Sequence, residues 1–220
     1  MVAAVVWLAT LAGGCAMSSG KDFVRPDQAS LALGQTTVAG VTSLLGPPTS
    51  RSVHHSLNAV PQPSGTADSG RPQAVAGTFE TLVYRYSRTT TAVVVGPMRS
   101  SAKQLTLSFW NDRLVSYTFE SGFDGERTDF EEGKAASFRP GQATRAEVVG
   151  TLGRPNGEAI YPYVKTDGSR QLTYVFIKTD STGFLPGRTE TSTTRRSIRF
   201  LFDPSDRLVN ADRHTSFSGY

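Results

Sequence analysis

The side chains that could do chemistry are few in this chain, and their spacing argues against catalysis. The adjacent pair His54-His55 lies in a stretch without hydrophobic periodicity, and His214 is far away in the sequence. Metal ligands need a spacing that lets them converge, such as two histidines four apart on a helix, so these residues do not predict a metal site. No serine stands in a nucleophile-elbow pattern, and Cys15 is the only cysteine. The sequence therefore predicts a protein that is not an enzyme.

Carboxylates crowd one stretch near the middle of the chain. Paired carboxylates can act as general acid and base, which makes this stretch the best remaining candidate for catalysis. We interpret it instead as a solvated linker and the first turn of a helix, where negative charge is favoured. The carboxylates are Asp124, Glu126, Asp129, Glu131 and Glu132.

The lone cysteine ends an uncharged, mostly apolar run. Residues 1–14 are too few to cross a bilayer, which takes about 20 residues, but they suit the apolar core of a secretory signal. The run ends with Leu-Ala-Gly-Gly-Cys at 11–15, which resembles the lipobox of bacterial lipoprotein precursors. The resemblance implies cleavage between Gly14 and Cys15, and a diacylglycerol and an N-acyl chain on Cys15 as the only attached groups. An ordinary secretory signal with an incidental cysteine is the alternative.

One stretch of the chain occurs twice and indicates which elements must position the rest. Residues 34–48 and 141–155 carry the same Gly, Gln, Thr, Ala, Val, Leu, Gly and Pro at the same spacing, without a gap. The pattern predicts a short helix that a Thr caps, that a Val and a Leu four apart bury, and that a Gly and a Pro end. The motif positions are Thr37, Val41, Leu45, Gly46 and Pro48, and then Thr144, Val148, Leu152, Gly153 and Pro155.

Strand-forming residues follow each copy of the helix motif. Alternating apolar residues predict a first strand and then a hairpin in each copy, separated by polar connections. The fold class predicted is therefore α+β, with two tandem units that each have two short helices followed by a three-stranded antiparallel sheet. The predicted strands are 79–86, with an extension at 92–95, and 172–176, the hairpins are 103–120 and 198–214, and the connections are 87–102 and 181–195.

These patterns predict five parts along the chain. The stretch at 49–78 is rich in Ser, Pro, Gly and Ala and predicts a loose insertion in the first unit. The parts are a signal peptide at 1–14, a lipidated tether at 15–21, a first unit at 22–122, its insertion at 49–78, and a second unit at 123–220.

The helix motif and the lipobox together carry a family resemblance. Two helices and three strands with a Thr-x-x-x-Val-x-x-x-Leu-Gly-x-Pro signature resemble the SmpA/OmlA, or BamE-like, lipoproteins. A tandem pair of such units is similar to the β-lactamase inhibitor protein, whose two repeats form a concave sheet that grips its target. The resemblance implies an outer-membrane lipoprotein on the periplasmic face that binds envelope proteins or supports their assembly. The alternative left open is an inhibitor of a periplasmic hydrolase of the β-lactamase or lysozyme type.

The charge pattern adds a second class of partner. The formal net charge is +4, and Arg195, Arg196 and Arg199 cluster on a late predicted strand. A basic lipoprotein could bind anionic lipid or peptidoglycan, whereas the alternative is a mildly basic solvated surface. Nucleic acid is excluded as a partner of a secreted chain.

Aromatic residues on the predicted strands divide between the core and an outer face. Those on the outer face would contact a protein partner, because Tyr and Trp anchor interfaces. The aromatic residues concerned are Tyr84, Tyr86, Trp110, Tyr117 and Tyr174.

Overall fold

A computed structural model describes residues 15–56, 77–91, 99–185 and 188–219. These residues form three short helices and nine strands. The helices are α1 (Val38–Leu45), α2 (Glu132–Ser137) and α3 (Arg145–Leu152). The strands are β1 (Cys15–Ser19), β2 (Ser50–Ser56), β3 (Gly77–Thr91), β4 (Arg99–Trp110), β5 (Arg113–Ser121), β6 (Gly157–Ile160), β7 (Arg170–Leu185), β8 (Arg188–Phe202) and β9 (Leu208–Gly219).

All nine strands belong to one antiparallel sheet, so the prediction of two α+β units with separate three-stranded sheets is wrong. The sheet runs in the order β1-β3-β4-β5-β6-β7-β8-β9, and β2 pairs with β3 as well. The two halves of the chain join where β5 pairs with β6. The first half also has one helix instead of two in its described part, because residues before α1 form turns.

In each half, a strand that was not predicted follows the motif helix. β2 follows α1, and β6 follows α3. The sequence Ser-Arg-Ser-Val-His-His-Ser of β2 lacks an alternating apolar pattern, so the sequence alone places it in the predicted loose insertion at 49–78. Backbone pairing with β3, from Ser50↔Val83 to Ser56↔Gly77, holds it in the sheet. The rest of that insertion, 57–76, lies outside the described residues.

Polar strands also replace much of the predicted connections and the predicted tether. β3 runs to Thr91 and β4 begins at Arg99, while β7 runs to Leu185 and β8 begins at Arg188. These strand ends are rich in Ser and Thr, so the alternation that marks a half-buried strand is missing, although Thr itself favours strands. The predicted tether begins with β1, which pairs with the end of β3. The predicted strand extension at 92–95 lies outside the described residues.

The two motif helices begin at the predicted caps. The backbone N–H of Gly40 donates to Thr37 Oγ1 at 3.1 Å, and that of Glu147 donates to Thr144 Oγ1 at 3.3 Å. In α3 the Glu147 carboxylate also accepts from the Thr144 backbone N–H at 2.8 Å, which completes the capping box. Because Gly40 has no side chain, α1 has the cap without the box.

The two helices also end in the same way. Gly46 and Gly153 take φ values of 81° and 77°, which favour glycine. The Tyr84 hydroxyl donates to the Gly46 carbonyl at 2.9 Å, and the Tyr174 hydroxyl donates to the Gly153 carbonyl at 2.9 Å. Burial raises the pKa of both phenols, so they remain donors. A tyrosine on β3 or β7 thus fixes each helix end to the sheet.

All three helices lie on one face of the sheet. The cross-strand pairs Leu107↔Tyr117, Tyr117↔Glu158 and Glu158↔Leu172 carry that face from the first half to the second, with Glu158 between two apolar clusters. None of the described helices has the length and apolar character needed to span a membrane. The first cluster is Phe23, Leu31, Val41, Leu82, Tyr84, Leu105, Leu107, Phe109, Leu114, Tyr117 and Phe119, and the second is Ala135, Ala143, Val148, Leu172, Tyr174, Ile198, Phe200, Phe202 and Leu208.

Candidate protein-binding site

The predicted lipid-attachment residue lies at the start of the sheet. Cys15 begins β1 and pairs with Thr91 of β3. Gly14 and the remainder of the predicted signal at 1–14 lie outside the described residues. Lipid attachment at Cys15 stays a prediction.

The histidines lie on different strands and do not converge. His54 and His55 lie in β2, where His55 Nδ1 is 3.3 Å from the Thr78 hydroxyl. His214 lies in β9, at the other end of the sheet order. Within the described ranges, no group of three His, Cys, Asp or Glu side chains could hold a metal ion.

The arginines of the predicted basic cluster are largely engaged inside the fold. Arg195 donates to both carboxylate oxygens of Glu120, at 2.5 and 3.2 Å. Arg196 pairs with Glu132 at 2.9 Å. Two of the three guanidinium groups therefore have acidic partners within the protein, and binding of anionic lipid or peptidoglycan stays a prediction.

The crowded carboxylates make ion pairs and helix contacts. Asp129 accepts from the Phe130 backbone N–H at 2.7 Å just before α2. The ion pairs are Asp124 with Arg127, Glu126 with Lys103, Glu131 with Lys134, and Glu132 with Arg196.

Most of the aromatics on the predicted strands are buried on the helix side of the sheet. Tyr84, Tyr117 and Tyr174 are at most 4% exposed. Tyr86 is half-buried beside them. Trp110 lies near Phe79, with ring centroids 6.3 Å apart.

The two halves of the molecule contact each other where one strand pairs along the edge of another. β6 lies along the outer edge of β5, and the Phe119 backbone N–H extends the ladder by donating to the Asn156 carbonyl at 2.8 Å. A Cβ atom on Gly157 would lie 2.4 Å from the Tyr117 carbonyl oxygen, so a larger residue cannot fit unless the backbone moves. We refer to this contact, including the turn at 154–156, as the joint.

The carboxylate of Glu158, which belongs to β6 of the second half, contacts the first half of the molecule at the joint. Glu158 is only 4% exposed and accepts hydrogen bonds from Gln28 Nε2 at 2.5 Å, the Tyr117 hydroxyl at 3.1 Å and Arg170 at 3.3 Å. Burial, and then the negative charge of Glu158, raises the pKa of Tyr117, which therefore stays protonated as a donor. The buried charge is thus matched by donors from both halves.

Two arginines lock the joint reciprocally. Arg25 of the first half donates to the Pro155 carbonyl at 2.6 Å, and Arg154 of the second half donates to the Pro26 carbonyl at 2.7 Å. The Arg25 guanidinium also lies 5.2 Å above the Phe119 ring. Burial and then the charge of Arg154 lower the pKa of Arg25. These contacts close the first half at the edge of β5.

β9 is the strand of the second half that is equivalent to β5 of the first half. Gly34 donates to the Leu114 carbonyl and Gly141 to the Leu208 carbonyl, both at 2.7 Å. Each hairpin has a shift in register at the same place, at 108–109 and at 201–202. Yet β6 covers the outer edge of β5, whereas β9 pairs only with β8 among the described strands. We call the free side of residues 210–219 the β9 edge.

A cavity of about 340 Å³ opens beside the β9 edge, between α2, β8 and β9. Two residues in and beside this region are smaller than their equivalents in the first half. Ala211 pairs with Phe200 as Tyr117 pairs with Leu107, and Ala135 stands in the repeat where Gln28 does. We call this cavity the β9 pocket.

Arginines line one side of the β9 pocket. Arg196 lies with its guanidinium carbon 4.3 Å above the Phe176 ring, and its Nε is buried with no hydrogen-bond partner in the described part of the chain. Arg213 is exposed and pairs with Ile198 across β8 and β9, so both side chains point to the helix side of the sheet. Glu132 of α2 also lines the pocket.

The equivalent place in the first half is closed around a lysine. Lys103 pairs with Tyr86 as Arg196 pairs with Phe176, but its side chain is only 5% exposed. Its Nζ lies 5.3 to 5.8 Å from the rings of Phe23, Tyr86 and Phe123. Counted from the shared turn, Phe217 stands where Phe123 does, and it is 72% exposed. The aromatic closure of the first half is therefore missing from the second.

Comparison with known proteins gives one distant structural likeness. The fold is similar to a crystal structure from Streptococcus mutans that is provisionally described as a beta-lactamase inhibitor protein, with a TM-score of 0.40 and 9% identity over 81% of this chain and 82% of that chain. No family model and no curated protein matches the chain, so the resemblance to SmpA/OmlA lipoproteins gains no support. A likeness at this TM-score carries no argument about how this chain is arranged or what it binds.

The β9 site was missed from the sequence, although a signal for it was present. The turn Asp-Arg-Leu-Val occurs at 112–115 and at 206–209, and counting onward from it places Ala211 opposite Tyr117 and Arg213 opposite Phe119. These large-to-small and apolar-to-charged differences mark an edge that is packed in one copy and open in the other. Recognising them required the pairing of β5 with β6, which the sequence does not reveal.

Proposed function

We propose that this chain is a non-enzymatic protein-binding module, which receives an extended segment of a protein partner along the β9 edge. The observation that carries the proposal is the joint, where the equivalent edge of β5 already holds such a segment, β6. Peptides that add a strand to a sheet gain affinity from main-chain hydrogen bonds and specificity from side-chain pockets. The β9 edge has both an unpaired backbone and a pocket beside it.

The hydrogen-bonding groups on the β9 edge follow from its equivalence to β5. Phe119 directs its backbone N–H outward to Asn156, and Arg213 is the equivalent residue. Because alternate residues of a strand direct their amides to the same side, Ala211 also directs its N–H outward. The charges on β9 limit edge-to-edge aggregation, as they do on many edge strands, but they leave these amides free for one matching segment.

The proposal is tested by display of seven-residue peptides with glycine fixed at the fourth position, which copies the arrangement of residues 154–160. We expect enriched peptides to bind the protein and to shift the amide resonances of Ala211 and Arg213 in NMR spectra. Ala211→Pro removes one outward N–H and leaves the pairing with β8, and we expect it to weaken binding by about tenfold.

Ala211→Ser is the matched control, because it changes the side chain and keeps the amide. We expect it to bind the peptides like the original protein. If the enriched peptides bind Ala211→Pro unchanged, or if no sequence is enriched, the β9 edge is not the binding site. Circular dichroism establishes that both variants are folded.

In this proposal the module is a lipoprotein on the periplasmic face of the outer membrane. The lipobox-like run that ends at Cys15 supports the anchor, and Cys15 also begins a strand, so the lipid would lie close to the folded body. Incorporation of labelled palmitate into the chain, and its loss in Cys15→Ser, tests this part. An inhibitor of a periplasmic hydrolase would also be a protein-binding module, and envelope proteins and such hydrolases are both classes of partner that the edge could serve.

A further inference from the structure

The side chain that enters the fold at the joint suggests what the β9 pocket selects. In the joint, Gly157 lies opposite Thr118 and Glu158 lies opposite Tyr117, with the Glu158 side chain on the helix side of the sheet. At the β9 edge the equivalent positions are Asp212 and Ala211. A segment bound in the same register would therefore place the residue after its glycine opposite Ala211, two positions along β9 from Arg213, which lines the β9 pocket.

The donors that hold Glu158 have no equivalents at the β9 edge. Tyr117 and Gln28, which both donate to Glu158, are replaced by Ala211 and Ala135. An acidic side chain that entered the β9 pocket would therefore need other donors. Without them, burial of the carboxylate would be unfavourable.

Arginines supply those donors. Arg213 lies two residues from Ala211 on the same face of β9, and it makes no ion pair within the described ranges. Arg196 keeps its Nε unpartnered even though it is paired with Glu132 through another nitrogen. Asp212 points to the opposite face, because neighbouring residues of a strand alternate, so its carboxylate does not compete for these groups. The β9 pocket is therefore lined by two guanidinium groups, those of Arg196 and Arg213, and by one carboxylate, that of Glu132.

We propose that the β9 pocket selects a glutamate or aspartate, in the segment that binds along β9, at the position directly after the glycine that crosses Asp212. This inference rests on the proposed function and adds the identity of one partner residue. The apolar floor of the pocket, formed by Ala135 and Ile198, suits the methylene groups of a glutamate, and the guanidinium groups bind its carboxylate. The partner is thus an extended protein segment with a Gly-Glu or Gly-Asp sequence.

The inference is tested with the peptide Arg-Pro-Asn-Gly-Glu-Ala-Ile, which copies residues 154–160, and with the same peptide carrying Gln in place of Glu. We expect the Glu peptide to bind about tenfold more tightly, because a charge-assisted hydrogen bond is stronger than a neutral one. Arg213→Met should remove most of this difference by weakening the Glu peptide alone. Arg88→Met, which removes an exposed charge on β3, is the matched control and should leave the difference unchanged.

The residue after the fixed glycine in the displayed library provides the second readout. Enrichment of Glu and Asp at that position supports the inference even if the copied peptide binds weakly. If enriched peptides bind along β9, as judged by Ala211→Pro, but show no acidic preference, the acidic selection is wrong and the proposed function stands. If no peptide binds along β9, both are wrong. Binding of the Glu peptide that is equally strong in Arg213→Met also overturns the assignment of Arg213.

Discussion

The outer edges of β5 and β9 are one edge of a repeated unit in two different situations. At β5 the edge is filled by β6, by Glu158 and by the reciprocal arginines of the joint. At β9 the outer edge pairs with no further strand among those described, and a cavity lies beside it. A duplicated unit can thus use one copy of an edge to hold itself together and leave the other copy for a partner.

The difference between the two edges resides in a few side chains. Tyr117 and Gln28 fill the first edge, whereas Ala211 and Ala135 leave space at the second. The cations at equivalent positions show the same difference between the two halves. Lys103 is enclosed by three rings, whereas Arg196 lies over one. The closed edge should therefore contribute to stability, and the open edge should contribute to binding. Each prediction below tests one part of that contrast.

The largest effect is expected at the glycine of the joint. In Gly157→Ala the new methyl group would meet the Tyr117 carbonyl at 2.4 Å and Thr118 at 2.7 Å, so β6 must move away from β5. We expect the free energy of unfolding to fall by about 2 kcal/mol or more, measured by urea denaturation. Gly150→Ala is the matched control, since nothing lies within 4 Å of its new methyl group in α3, and it should stabilise by about 0.5–1 kcal/mol. Equal stability of the two variants would mean that the joint does not hold the halves together.

The second effect compares the cations at two equivalent positions, Lys103 and Arg196. Lys103→Ala removes a stem packed among three rings together with ion pairs to Asp22 and Glu126, and we expect a loss of about 2 kcal/mol. Both carboxylates are partly exposed and regain water, which limits the loss. Arg196→Ala should cost less than about 1 kcal/mol, because its ion pair with Glu132 is largely solvated. Thermal unfolding of both variants measures the difference, and a larger loss in Arg196→Ala would contradict the contrast.

Local features of the fold could be predicted because neighbouring residues decide them. The Thr cap, the Glu147 capping box and the Gly153 helix end depend on residues within a single turn, and their spacing shows directly in the sequence. The hairpin turns at 111–112 and 203–206 are local in the same sense, and the strands form there. The repeat itself was visible because these local signals occur twice.

The sheet as a whole could not be predicted because its decisive contacts are distant and made by the backbone. The pairing of β5 with β6, which joins the halves, depends on Gly157 and carries almost no side-chain pattern. β2 and the ends of β3, β4, β7 and β8 are polar on both faces, so their strand character comes from their neighbours in the sheet. The candidate site was invisible for the same reason, since an open edge is defined only relative to a closed one.

The third prediction concerns a feature that both halves share. Tyr84→Phe and Tyr174→Phe each remove a hydrogen bond of 2.9 Å to the carbonyl of a helix-ending glycine, Gly46 or Gly153. We expect each change to lower the free energy of unfolding by about 1 kcal/mol, and by similar amounts, because the two sites have the same geometry. The double variant should show an additive loss, since the tyrosines lie in separate apolar clusters. A loss confined to one half would mean that the copies are not equivalent at this helix end.

The smallest effect concerns the capping box that only α3 has. Hydrogen bonds from the Thr144 backbone and then from its side chain lower the pKa of Glu147, so the carboxylate is favoured in the folded state. Its contribution is therefore complete above the unfolded pKa of about 4.3 and is lost as pH falls through the lower folded value. We expect Glu147→Ala to reduce the urea midpoint at pH 7, and the difference from the original protein to shrink toward pH 3.

The first half allows the converse experiment, because Gly40 occupies the position of Glu147. A side chain at Gly40 has room, with only Thr37 Oγ1 at 3.4 Å, so Gly40→Glu should create the missing capping box in α1. Gly40→Ala is its matched control, because it gains the same relief from glycine in a helix without a carboxylate. The extra stability of the Glu variant over the Ala variant should be present at pH 7 and disappear by about pH 3, with the sign set by a lowered folded pKa. If the two variants remain equally stable across that range, the box depends on the geometry of α3 and not on the shared Thr cap.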